Sequence, residues 1–140
     1  PADGPAAPED SALLAAVDPM LNEARAAHAA VRPDLALDAV WARVAAVNAY
    51  LNETAPWALR KTDPARADIV LYHAAESIRR IALLVQPAMP ESAAKLLDQL
   101  AVPPEQRSFS AFANRLRPGT PLPAPQGVFP RWVDPDADAS

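Results

Sequence analysis

Cysteine is absent from this chain of 140 residues, so it can build no disulfide framework, zinc–thiolate site or thiol nucleophile. Glycine is nearly absent too. Three residues, Gly4, Gly119 and Gly127, are too few and too scattered for a loop that cradles phosphate. No apolar run approaches the roughly 20 residues of a membrane span, and no signal-peptide pattern opens the chain. Basic charge is outnumbered, with 13 Lys+Arg against 17 Asp+Glu and a net charge of −4. That excludes binding driven by a broad basic surface but leaves room for a local patch. Aromatic residues make up 6% of the chain, so each one asks what it is for.

Alanine and proline are what the chain has in excess. Its 33 alanines favour helix, and few β-branched runs compete. The 17 prolines are unevenly placed, three in the first eight residues and eight from Pro103 onward. The chain therefore reads as a flexible lead-in over 1–8, a helical body over 9–117, an extended proline-rich tail over 118–133 and a disordered acidic end over 134–140. A mass of 14.9 kDa suits one domain with a real core. The first residue is Pro1 rather than Met, which leads us to expect a segment of a longer polypeptide.

The expected architecture is all-α, an antiparallel bundle of about four helices. The first helix carries Leu13, Leu14, Val17, Leu21 and Val31, and Pro19 must either kink it or divide it in two. The second has the cleanest period, with Leu37, Val40, Trp41, Val44, Val47 and Leu51 as its inward stripe. Pro33 and Asp34 suit its first turn, and it should fail before Pro56. Asp63–Pro64 opens the third, as cap and first helical residue, and Pro87 ends it. Pro90–Glu91 opens the fourth, which runs to Leu100 with Leu96, Leu97 and Leu100 inward. Phe109 and Phe112 form a small apolar cluster, placed for one helical turn.

The residues by themselves assemble no catalytic or metal constellation. His28 and His73 lie on predicted helices without the neighbours of a phosphotransfer histidine or the spacing of a metal motif. No serine or threonine sits in a nucleophile-elbow context. Charge is more informative once divided. Residues 39–117 hold ten bases against seven acids, with Arg60, Lys61 and Arg66 around one turn and Arg79–Arg80 midway along the third helix. This is either an ordinary solvated surface or a small phosphate-contacting patch. Beside it stands Trp57, directly after Pro56 at a helix end. It reads either as a plug on the end of the bundle or as a stacking platform for an unpaired base.

Three sequence elements then carry a resemblance. They are the run Asn48, Tyr50, Ala55, Pro56 and Trp57; the stretch LLVQPAMPESAAKLLDQL from Leu83 to Leu100; and the tail PLPAPQGVFPR from Pro121 to Arg131. Together, over about residues 9–133, the chain resembles the C-terminal anticodon-binding domain of bacterial methionyl-tRNA synthetases, a class I family. The resemblance implies recognition of the CAU anticodon loop of tRNA(Met), with Trp57 stacking on an anticodon base and Pro56 fixing its approach. Asn48, Arg60 and Lys61 follow as weaker members of the same site. It also implies a cytoplasmic protein with no membrane or DNA partner, whose ATP and magnesium belong to an upstream catalytic domain. This chain has neither HIGH nor KMSKS, the ATP-binding signatures of the class, so no catalytic residue and no cofactor or metal is expected within it. The family's bundle begins with a further helix, expected to precede Pro1 and to leave an apolar groove where it packed. Two other readings stand beside this one: a free-standing helical protein-docking module derived from the same bundle, and the anticodon domain of a sister class I synthetase.

Overall fold

Proline sets most of the helix boundaries in the computed structural model, which describes residues 6–129. The expectations for 1–5 and for 130–140, including the acidic end, lie outside the described residues. Five of the six α-helices begin on proline: α1 (Pro8–Val17), α3 (Pro33–Thr54), α4 (Pro56–Thr62), α5 (Pro64–Val85) and α6 (Pro90–Gln99). A first-turn proline loses nothing there, because its missing N–H would have had no helical partner. The sixth, α2 (Met20–Ala29), has Pro19 as its N-cap. Pro19 thus divides the first expected helix in two rather than kinking it. The expected turn around Trp57 folds into the short helix α4. Two 3₁₀ turns, Pro104–Gln106 and Phe109–Ala111, follow α6.

The all-α antiparallel bundle is what these helices form. α3 and α5, each 22 residues, pack side by side with α4 joining one end, which makes them antiparallel. α5 lies at the centre, in contact with α1, α3, α4 and α6, and α2 packs on α3. Val70, Ala74, Ile81, Ala82, Leu83 and Val85 of α5 are buried with Leu13, Val17, Met20, Val40, Val47, Tyr50 and Leu97. Phe112 joins this core, whereas Phe109 stays exposed. From Ala113 the chain turns away from helix; its described proline-rich stretch to Phe129 holds neither helix nor strand, and the Gln126 N–H donates to the Gln99 side-chain oxygen of α6. No described helix is long and apolar enough to cross a membrane.

Three readings of side-chain placement are corrected. Trp41, expected on the inward stripe of α3, is 58% exposed, and its stripe neighbour Leu37 is exposed as well. Val40 and Val47 of the expected stripe are buried, Val44 and Leu51 pack against the core, and Ala36 and Tyr50 are buried in addition. Arg79 and Arg80, expected as part of a surface patch, are buried. Both guanidinium groups bond to the equally buried carboxylate of Glu76, and Arg79 also donates to the carbonyls of Ala111, Phe112 and Asn114. Val31, expected on the apolar face of the first helix, lies beyond the end of α2.

Val31 shows what scarce glycine costs this fold. The Arg32 N–H bonds to the Ala27 carbonyl and the Val31 N–H to the His28 carbonyl, the paired bonds of a Schellman ending. That motif puts its C′ residue in the left-handed region, and here Val31 sits there with φ 57°. Ala101 ends α6 in the same way with φ 53°. A β-branched residue is poorly suited to this conformation, and at 83% exposure Val31 has little packing in return. Val31→Asn is expected to raise stability by about 0.5–1 kcal/mol, read as a higher urea midpoint.

Candidate nucleic-acid interface

The site is built on the corner between α3 and α5. α3 ends when Ala55 takes a left-handed conformation, φ 43° and ψ 61°, which turns the chain sharply. The Thr54 hydroxyl donates to the Tyr50 carbonyl at 2.6 Å, tying off the last turn of α3. Ala55 then caps α4, with its carbonyl accepting from the Ala58 and Leu59 N–H groups. The Asp63 N–H closes the far end of α4 on the Leu59 carbonyl, while the Asp63 carboxylate accepts from the Arg66 N–H to open α5. Seven residues of helix are thereby held at both ends, and Asp63 performs the capping role expected of it.

Helical spacing sorts α4 into two faces. Pro56 is buried and Leu59, three residues on, packs against the core. Trp57 points the other way and is 61% exposed, which removes its reading as a plug on the bundle. Arg60 and Lys61 are exposed, three and four residues beyond Trp57, so both cations neighbour the indole along the helix surface. Neither forms an ion pair among the described residues. Asn48 is exposed on α3, about 9 Å along the helix axis from its end at Thr54. Four of the five expected site residues, Asn48, Trp57, Arg60 and Lys61, are therefore accessible, and Pro56 is the buried foot on which the indole stands. An accessible indole with two cations one turn away can stack on a flat apolar ring and hold a phosphate beside it.

Arg66, grouped with this patch in the sequence, faces inward. Its guanidinium bonds to Asp10 through both terminal nitrogens, at 2.6 and 2.8 Å, and to Glu9 at 2.9 Å. Tyr50 donates to the same Asp10 carboxylate at 2.5 Å. Burial alone would raise the Asp10 pKa, but the donors from Arg66, Tyr50 and the Ala7 N–H outweigh it and hold the carboxyl at about 2. Sequence reasoning missed this cluster, because its bonded side chains lie up to 57 residues apart. The two histidines stay ordinary. His28 is exposed, with Nδ1 on the Ala24 carbonyl. His73 is buried with no partner for Nδ1 among the described residues, and burial pushes its pKa below the usual histidine range.

Comparison with known proteins bears on this surface. Residues 1–139 match the family described as the anticodon binding domain of methionyl tRNA ligase. Among curated relatives, the methionine–tRNA ligase of Rhizobium meliloti is 48% identical over 98% of the chain. That of Brucella suis is 50% identical over 97%. The chain spans 27% of the length of each. Among solved structures, the apo methionyl-tRNA synthetase of Mycobacterium tuberculosis superposes with a TM-score of 0.91 at 47% identity, covering 94% of this chain and 27% of that one.

Proposed function

Because the chain belongs to the family of methionyl-tRNA ligase anticodon-binding domains, we propose that its α3–α4 surface binds the CAU anticodon loop of tRNA(Met). The observation that carries the reading is the exposed Trp57 on a helix fixed at both ends, with Arg60 and Lys61 one turn away. Proteins read RNA sequence mainly on unpaired loop bases, by stacking and by hydrogen bonds to base edges. Trp57 stacks on one such base, Pro56 sets its angle, Asn48 offers an amide to a base edge, and Arg60 and Lys61 hold the flanking phosphates. A net negative charge is no obstacle, because a stack together with two local cations does not need a basic surface.

Methionine activation with ATP and magnesium, and transfer to the tRNA, are assigned to a catalytic domain of a longer polypeptide. In that setting the exposed strip of Leu37 and Trp41 on α3 is surface for another part of the same chain to cover. The same strip is what favours a protein-docking role.

The test is fluorescence anisotropy with a labelled RNA hairpin carrying the CAU loop. Trp57→Ala is expected to weaken binding by about 1–3 kcal/mol, or roughly 5- to 150-fold. Lys61→Ala should weaken all hairpins alike and reduce the salt dependence by about one counterion. Equal affinity for CAU and unrelated loops would overturn the anticodon reading.

A further inference from the structure

The buried carboxylate of Asp10 is not needed to fill space, since an apolar side chain would do that without desolvating a charge. What it does is join two helices that otherwise meet only through packing. One of its oxygens accepts from Tyr50 and Arg66, the other from Arg66 and the Ala7 N–H, so every donor aimed at it is matched. Tyr50 lies in the last turns of α3, seven residues before Trp57, and Arg66 in the first turn of α5, nine residues after it. These are the two ends from which α4 hangs. Glu9, half-buried beside Asp10, takes a further bond from Arg66 and fixes the guanidinium plane.

Apolar contacts tolerate sliding, whereas bidentate guanidinium–carboxylate and phenol–carboxylate bonds fix both distance and angle. α4 has only Pro56 and Leu59 of its own to hold it against the bundle. Its orientation therefore follows the relative placement of the end of α3 and the start of α5. We propose that Asp10, acting through Tyr50 and Arg66, is a positioning residue that sets the angle at which Trp57, Arg60 and Lys61 are presented. The proposal rests on the reading of that surface as an RNA-binding site. It also gives α1, which contributes no residue to the site, a role in how well the site binds.

The test measures affinity for the CAU hairpin with the full chain, at a temperature where every variant is folded. Tyr50→Phe keeps the ring and removes one bond to Asp10, and Arg66→Lys keeps the charge and removes the paired geometry. Each is expected to weaken binding about 3- to 10-fold. Leu83→Ala, a core change at the other end of α5, serves as the control for general destabilisation and is expected to leave affinity unchanged. In a Trp57→Ala background, Tyr50→Phe should have a smaller effect than in wild type, because the share of its influence that passes through the indole is already gone. If wild type binds the CAU hairpin and Tyr50→Phe and Arg66→Lys bind it equally well, the positioning role is overturned while the RNA reading stands. If their losses do not exceed that of Leu83→Ala, the role is merely structural and the proposal fails. Absence of binding by wild type would overturn the RNA reading and this proposal with it.

Discussion

Glu76→Ala is expected to destabilise the domain by about 3–5 kcal/mol, lowering the thermal midpoint by roughly 10–20 °C. Glu76 is 1% exposed, and its carboxylate accepts from Arg79 Nε and Nη2, from Arg80 Nε and from the Leu116 N–H. Removing it leaves two buried guanidinium groups facing each other with their shared counter-charge gone. Arg80 retains the exposed Asp18 and the face of the Phe112 ring, 5.4 Å away, and Arg79 retains the carbonyls of Ala111, Phe112 and Asn114. Those carbonyls belong to the turn where helix gives way to the extended segment, so the same change loosens the tail from the bundle. Glu76→Gln keeps one acceptor but directs an amide NH₂ at existing donors, and should fall between wild type and alanine. Circular dichroism melts would decide. A loss below about 1 kcal/mol would mean that water reaches the arginines and the network is not sealed.

Most helix boundaries were legible because they depend on local chemistry. Pro33, Pro64 and Pro90 open helices, Asp63 caps one, and Pro56 and Pro87 stand just past where others end; each acts within one turn. Which face turns inward was less legible. In an alanine-rich helix, small residues suit either side, so the apolar stripe of α3 does not by itself distinguish Trp41 outside from Ala36 inside. Arg79 and Arg80 looked like solvated cations because the carbonyls and the N–H that enclose their network lie some 30–40 residues away. The core of the candidate site was legible for the opposite reason. Trp57, Arg60 and Lys61 fall within five residues, and their spacing alone places them together once the segment is helical. What holds that segment, the bond set of Asp10 with Tyr50 and Arg66, is a tertiary fact with no local signature. The left-handed endings at Val31, Ala55 and Ala101 were illegible too, since the usual sign is a glycine and none is there.

Leu83→Ala should be the other large effect, about 2–5 kcal/mol by urea denaturation. The side chain is fully buried near the end of the central helix, whose neighbours are held by their own contacts with α5 and by the Glu76 network. A cavity there cannot collapse by moving one helix without breaking those bonds, which puts the cost above simple transfer of the lost methyl groups. Leu71 on the same helix is 44% exposed, and its replacement by alanine should cost less than about 1 kcal/mol. Similar losses at the two positions would mean that α5 is not the centre of the core. Leu83 also lies 19 residues beyond Pro64, about 28 Å along the helix from the corner that carries Trp57. Stability and RNA affinity should therefore separate in this variant. Unfolding shifts strongly while the folded fraction binds the CAU hairpin as wild type does, because the position of α4 is set by the Asp10 bonds at the opposite end of the helix.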